Sequence, residues 1–129
     1  MIVADTILLA YLLIPGTFTT RAERMFLEDP DWAAPRLWRS ELRNVLSTYV
    51  RAKSMAITDA AALYGRAASI IGADEYEVDT LDVLTLSKQS GCSAYDCEFV
   101  ALAGFLDVKL VTTDSKLVKA FPGRAMLLP

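Results

Sequence analysis

Four acids in this chain stand where a carboxylate can be aimed at chemistry. Asp5 ends the short apolar run Met1–Ala4, and Glu41 lies on a helical stretch beside Leu42 and Val45. Asp96 falls in the first turn of the helix opened by Ser93, and Asp114 falls two residues past the run Lys109–Thr112. Histidine is absent. That removes Ser-His-Asp and Cys-His catalysis, histidine general bases and imidazole metal ligands together. Acid–base work is left to carboxylates, Lys, Tyr, Cys or metal-bound water. Carboxylates packed together repel one another, so without a cation some would be protonated. A divalent ion removes that penalty, and hard oxygen ligands point to Mg²⁺ or Mn²⁺ rather than zinc. Such an ion can generate hydroxide near neutral pH, orient a phosphate and neutralise a leaving oxygen. An all-carboxylate site without histidine therefore suits phosphodiester cleavage, with one or two metals.

Each acid also has a plainer reading. Asp5 could N-cap the helix that follows it, and Asp114 could cap Ser115–Ala120. Asp96 could sit at the third helical position of a box opened by Ser93. Glu41 is mid-helix beside an apolar stripe, where an ionised carboxylate needs a partner or water; the alternative is a solvated or Arg-paired flank residue. Glu98 follows Asp96 by two residues, about 200° around a helix, and is read as lying outside the cluster. Cys92 and Cys97 lack metal-ligand spacing and are read as reduced thiols.

The surrounding pattern supplies elements to hold these acids. Met1–Ala4 is a β-branched apolar run, suited to a buried parallel strand. Thr6–Leu13 reads as a helix stopped by Pro15-Gly16. Thr19–Glu28 is amphipathic, with Thr20 and Glu23 at capping-box spacing. Trp32–Ala34 is a short strand. Over Arg36–Ala52, residues Trp38, Leu42, Val45, Leu46 and Tyr49 fall at offsets 0, 4, 7, 8 and 11, a helical core stripe. Thr58–Ile71 is a helix with Thr58 as its cap and Gly72 beyond its end. Tyr76–Val78 is a strand candidate, Thr80–Ser90 and Ser93–Leu106 are helices, and Lys109–Thr112 is a strand. Ser115–Ala120 is a short helix, and Ala125–Leu128 is a final strand. Strands alternating with helices imply an α/β fold with a mostly parallel sheet of about five strands. Ligands of such sheets bind outside the carboxyl ends of the strands, which is where Asp5 and Asp114 stand if their strands are neighbours.

Composition sets the outer bounds. At 129 residues one domain, 1–129, is expected, large enough to bury a core. Hydrophobic residues make up 53% of the chain, which excludes a disordered class. The longest apolar runs, Ile7–Ile14 and Phe99–Phe105, are too short to span a bilayer. No basic leader precedes Asp5, so a cytoplasmic location is expected. The net charge of −3 argues against a nucleic-acid coat protein but not against a nuclease. Arg36, Arg39 and Arg43 share a helix face that could hold phosphates or simply form local ion pairs. Leu9, Tyr11 and Leu12 with Met25 and Phe26 could line a groove for a partner helix or be core.

Four stretches carry a resemblance: VADT at 3–6, SELRNVL at 40–46, YDCEFVALA at 95–103 and LVTTDSKL at 110–117. In this order the chain resembles PIN-domain proteins, specifically the VapC-type toxin ribonucleases of type II toxin–antitoxin pairs. The resemblance implies a three-layer α/β/α sandwich and Mg²⁺- or Mn²⁺-dependent RNA hydrolysis. It places Asp5 and Asp96 as the most direct metal ligands. Glu41 and Asp114 complete the site, directly or through water. Thr6 takes the place of a family serine, and Thr112 matches a position that orients the acids. It also implies RNA as substrate, a cognate antitoxin as partner, and a homodimer. Two alternatives keep an α/β fold. One is a non-catalytic PIN-like module that binds RNA or protein. The other is a receiver-like domain, which would need an early acidic pair that Asp5 alone does not provide. A haloacid-dehalogenase-type phosphatase would need a second Asp two residues after the first, where Ile7 stands.

Overall fold

A computed structural model describes residues 1–129. Five short strands form one sheet: β1 (Ile2–Ala4), β2 (Trp32–Pro35), β3 (Glu75–Tyr76), β4 (Leu110–Thr112) and β5 (Ala125–Leu127). Their spatial order is β3-β2-β1-β4-β5, and every pairing is parallel. Seven helices connect them: α1 (Thr6–Leu13), α2 (Thr19–Glu28), α3 (Trp38–Arg51), α4 (Ile57–Ile71), α5 (Thr80–Ser90), α6 (Ala94–Leu106) and α7 (Ser115–Ala120). No helix is long and apolar enough to cross a membrane.

The strands are apolar on both faces because helices cover both. Ile2, Ala4, Trp32, Ala34 and Val111 pack with residues of α1 to α4. Their neighbours Val3, Ala33, Leu110 and Ala125 face the other way, against α6 and α7. The period-2 alternation of a strand thus splits the core into two layers. α5 packs on the outer side of α6 through Val83, Cys97 and Ala101. This explains why the middle of α6, Phe99 to Ala103, is buried on every side. Both cysteines are free, and burial pushes the Cys97 thiol upward, away from reactivity.

The chain order positions the acids. β1, β2 and β3 step toward one edge of the sheet. The chain then returns to lay β4 on the other side of β1. The sheet therefore changes winding direction between β1 and β4, and the crevice at the carboxyl ends of these strands is the place where such folds bind ligands. The condition on which Asp5 and Asp114 would face one crevice is met: β1 and β4 are neighbours, with Val3 paired to Leu110 and Ala4 to Val111.

Local chemistry differs from expectation at several boundaries. Thr20 and Glu23 form no capping box. The residue before α2 is Phe18, with no side-chain cap, and Thr19 instead closes the preceding turn by accepting from the Gly16 N–H and donating to the Ile14 carbonyl. Thr58 lies inside α4, whose uncapped start is Ala56. The third strand is Glu75–Tyr76 rather than Tyr76–Val78, because pairing with Ala34 and Pro35 sets its register. Tyr49 is exposed rather than core. Gly91 ends α5 in the left-handed conformation, φ +73°, where a Cβ would be strained.

Candidate metal centre

Asp5 follows β1 directly and occupies the N-cap position of α1, yet its side chain makes no capping bond. Its Oδ2 instead accepts a 2.7 Å hydrogen bond from the Thr112 hydroxyl. Thr112 is the last residue of β4, fully buried beside Asp5. The same hydroxyl accepts from the backbone N–H of Asp114 at 3.0 Å. Register makes this possible: Ala4 pairs with Val111, so the next residues, Asp5 and Thr112, lie side by side.

Glu41 reaches the crevice from α3. Its Oε1 accepts a 2.8 Å bond from the Thr6 hydroxyl, and Thr6 is buried in the first turn of α1. Asp96 arrives from the first turn of α6, which starts at the same end of the sheet. Its backbone N–H donates to the Ser93 hydroxyl, which caps the helix. Asp114 does cap α7: one oxygen, Oδ1, accepts from the N–H groups of Lys116 and Leu117 at 2.9 and 3.4 Å. The plain capping reading is thus correct for Asp114, and the Ser93 cap places Asp96. Asp5 and Glu41 are held by threonines instead. Glu41 and Asp114 each keep a second oxygen that no hydrogen bond within the protein occupies, the Asp5 carboxylate is further favoured by the backbone N–H groups of Thr6 and Ile7, and no buried polar side-chain atom is left unpaired.

All four acids line one cleft of about 660 Å³. Its electrostatics are those of negative charge without compensation. Burial holds the Asp5 carboxyl above its ordinary value; the Thr112 bond lowers it, and the charge of Asp96 raises it further. Glu41 is raised by burial, pulled down by Thr6, and raised again by Asp5 and Asp96. Asp96 is raised by burial and by Asp114. As the side chains stand, no three of them are close enough together to grip an ion. The donor set still fits a hard divalent cation. Every donor is a carboxylate oxygen, three of the four groups bind protons more tightly than they would in water, and a positive charge in the cleft would relieve their mutual repulsion.

Other candidates fall elsewhere. Glu98 lines a separate cleft with Arg36 and Glu77, in line with its expected place outside the cluster, although its charge still reaches Glu41. Arg39 pairs with Glu75 at 2.6 Å and donates to the Tyr64 hydroxyl, as does Arg43. Arg36 meets Glu77 at 3.7 Å on the surface. The arginine face therefore makes local ion pairs and tyrosine contacts. Leu9, Tyr11, Leu12, Met25 and Phe26 pack into the core around α1 and α2. Ser40, Asn44 and Tyr95, which the sequence does not mark as site residues, also line the acidic cleft. The signal for the first two was available: Ser40, Glu41 and Asn44 fall on one face of α3 at helical spacing.

No family model matches the sequence, and no curated protein matches it. Among solved structures, PAE2754 from Pyrobaculum aerophilum superposes with a TM-score of 0.75 at 21% identity, over 95% of this chain and 81% of the other. FitAcB from Neisseria gonorrhoeae superposes with a TM-score of 0.73 at 16% identity, over 98% of this chain and 96% of the other. Likeness at this identity speaks to fold. The chain has a PIN-like α/β fold, with helices on both faces of an all-parallel five-stranded sheet.

Proposed function

We propose that this chain is a Mg²⁺- or Mn²⁺-dependent endoribonuclease of the VapC type, the toxin of a type II toxin–antitoxin pair. The reading places it in the cytoplasm as a single-domain homodimer, with RNA as substrate and a cognate antitoxin as inhibitor. One observation carries it: Asp5, Glu41, Asp96 and Asp114 line a single cleft at the winding switch of the sheet. The motifs around these residues, in the order the resemblance requires, add the reaction class.

In this account Asp5 and Asp96 hold the cation, with Glu41 and Asp114 completing its surroundings. A bound Mg²⁺ or Mn²⁺ supplies an acidified water and neutralises charge on the phosphate. The protein's own contribution is orientation. Thr112 fixes the Asp5 carboxylate against the start of α7, and Thr6 fixes Glu41. Both hydroxyls are buried, so the carboxylates are held before substrate arrives. The antitoxin would present a cationic side chain to the same acidic cleft, which suits an arginine on an amphipathic segment.

The test is RNA cleavage by purified protein in Mn²⁺, in Mg²⁺ and in chelator, beside Asp96→Asn prepared identically. Metal-dependent cleavage that the variant loses supports the reading. Cleavage that persists in the variant points to a contaminant. Tight RNA binding that is indifferent to chelator, without cleavage, would instead support the non-catalytic binding module.

A further inference from the structure

The acidic cleft has a second, uncharged side whose chemistry is unassigned. Tyr95 immediately precedes Asp96 in the first turn of α6 and is 64% exposed. It lines the same cleft as the four acids. Six other rings pair with one another: Tyr11 stacks on Phe18, Phe26 meets Trp32 edge-on, and Trp38 stacks on Tyr64; among the exposed rings without such a partner, Tyr95 is the one that lines the acidic cleft. Tyr95 has no aromatic partner, and no hydrogen bond holds its hydroxyl. A large ring left in solvent beside a charged site, on the Ser93-capped first turn of α6, is a ready stacking surface. Asn44 stands on the cleft face of α3, one turn beyond Glu41. It is exposed, and its only bond outside the helix ladder is through its backbone carbonyl, to Thr48. Its amide therefore keeps two donors and one acceptor free, the pattern that reads a nucleobase edge. The cleft is also far larger than a cation needs, within the range that holds a nucleotide-sized ligand.

We infer that Tyr95 and Asn44 form a nucleobase subsite beside the carboxylates, Tyr95 stacking on a base flanking the scissile phosphate and Asn44 reading that base's edge. The inference rests on the proposed nuclease reading and adds which residues select the RNA. Single-stranded RNA is the fitting form, because only an unpaired base offers both a face and an edge.

The experiment uses a labelled random-sequence single-stranded RNA pool and the full chain. Cleavage is measured in Mn²⁺ with product ends sequenced, and binding is measured separately in Ca²⁺. Wild type is compared with Tyr95→Ala, Tyr95→Phe and Asn44→Ala, each checked for an unchanged thermal midpoint. Loss of one stacked base is worth about 5- to 150-fold. Tyr95→Ala is expected to weaken binding and raise KM on that scale with kcat little changed, while Tyr95→Phe stays near wild type. Asn44→Ala is expected to flatten the nucleotide preference at one position beside the cut. Cleavage and binding unchanged in Tyr95→Ala, with wild-type preference in Asn44→Ala, would overturn the subsite and leave the nuclease intact. Tyr95-dependent binding by a protein that never cleaves would uphold the subsite and overturn the nuclease. No binding and no cleavage by wild type would overturn both.

Discussion

Thr112 and Asp5 are joined across two neighbouring strands by a 2.7 Å hydrogen bond, although 107 residues separate them in the chain. The same hydroxyl accepts the N–H of Asp114. One buried side chain thereby ties the acid that ends β1 to the acid that opens α7. Removing it should disturb both at once. Thr112→Val keeps the shape and deletes the hydroxyl. The expected cost is about 1–3 kcal/mol of stability, together with about a 10- to 100-fold loss in metal affinity or cleavage. Thr112→Ser should keep most of both. Urea unfolding and cleavage rates measured on the three proteins decide this; a Val variant as active as wild type would remove Thr112 from the account.

Thr6 plays the matching part for Glu41, through its 2.8 Å bond. Thr6→Val should reduce cleavage by about 10-fold or more, with Thr6→Ser close to wild type. Equal rates for all three, at saturating Mn²⁺ and at limiting Mn²⁺, would show that Glu41 needs no orienting partner.

The pH dependence of stability follows from the raised carboxyls. Asp5, Glu41 and Asp96 all hold protons more tightly folded than at their ordinary values of 3.8, 4.5 and 3.8. The folded state thus binds more protons than the unfolded chain just above those values. The stabilisation these groups contribute is complete below them and is lost as pH rises through the raised folded values. In chelator, the thermal midpoint of wild type should accordingly fall between about pH 4.5 and neutrality relative to that of Asp5→Asn. Asp5→Asn should be the more stable protein at pH 7, because it removes a carboxylate whose charge burial disfavours. Divalent metal should raise the wild-type midpoint and leave the variant nearly unmoved. A variant less stable than wild type in chelator at pH 7 would contradict the picture of uncompensated charge.

Glu75 offers a control in which stability and activity should separate. It accepts from the Trp38 indole at 2.8 Å and from Arg39 at 2.6 Å. Burial pushes its carboxyl up, but these partners outweigh that and leave it lowered. Its contribution is therefore fully present above the ordinary value of 4.5 and lost as pH falls through the lowered one. Glu75→Ala should cost about 1–3 kcal/mol and leave cleavage per folded molecule unchanged. Glu98→Gln should likewise leave the rate within about 2-fold of wild type, because Glu98 lines the neighbouring cleft.

Much of this organisation was legible in the residues themselves. The bounds of α1, α2, α5 and α7 follow from Pro15-Gly16, Asp29-Pro30, Gly91 and Pro122, local signals that act without the rest of the fold. Asp5 and Asp114 could be placed at strand ends because β-branched apolar runs stop there. What stayed hidden depends on tertiary context. Thr20 and Thr58 look like caps, but the chain enters α2 and α4 one or two residues earlier. Glu75 pairs into the sheet only because β2 lies beside it. Asn44 and Tyr95 were missed because an exposed amide and an exposed ring resemble any solvated surface until the cleft beside them is seen. The threonine bonds were foreseen only as a role; their partners required the β1–β4 register.

The most direct test of the carboxylate centre is Mn²⁺ binding, by calorimetry at neutral pH, to wild type and to Asp5→Asn and Asp96→Asn. The account expects saturable binding to wild type, weakened at least about 10-fold in each variant, while Glu98→Gln binds normally. Undiminished binding in Asp5→Asn and Asp96→Asn, or no saturable binding to wild type, would contradict the claim that these four acids form one metal site.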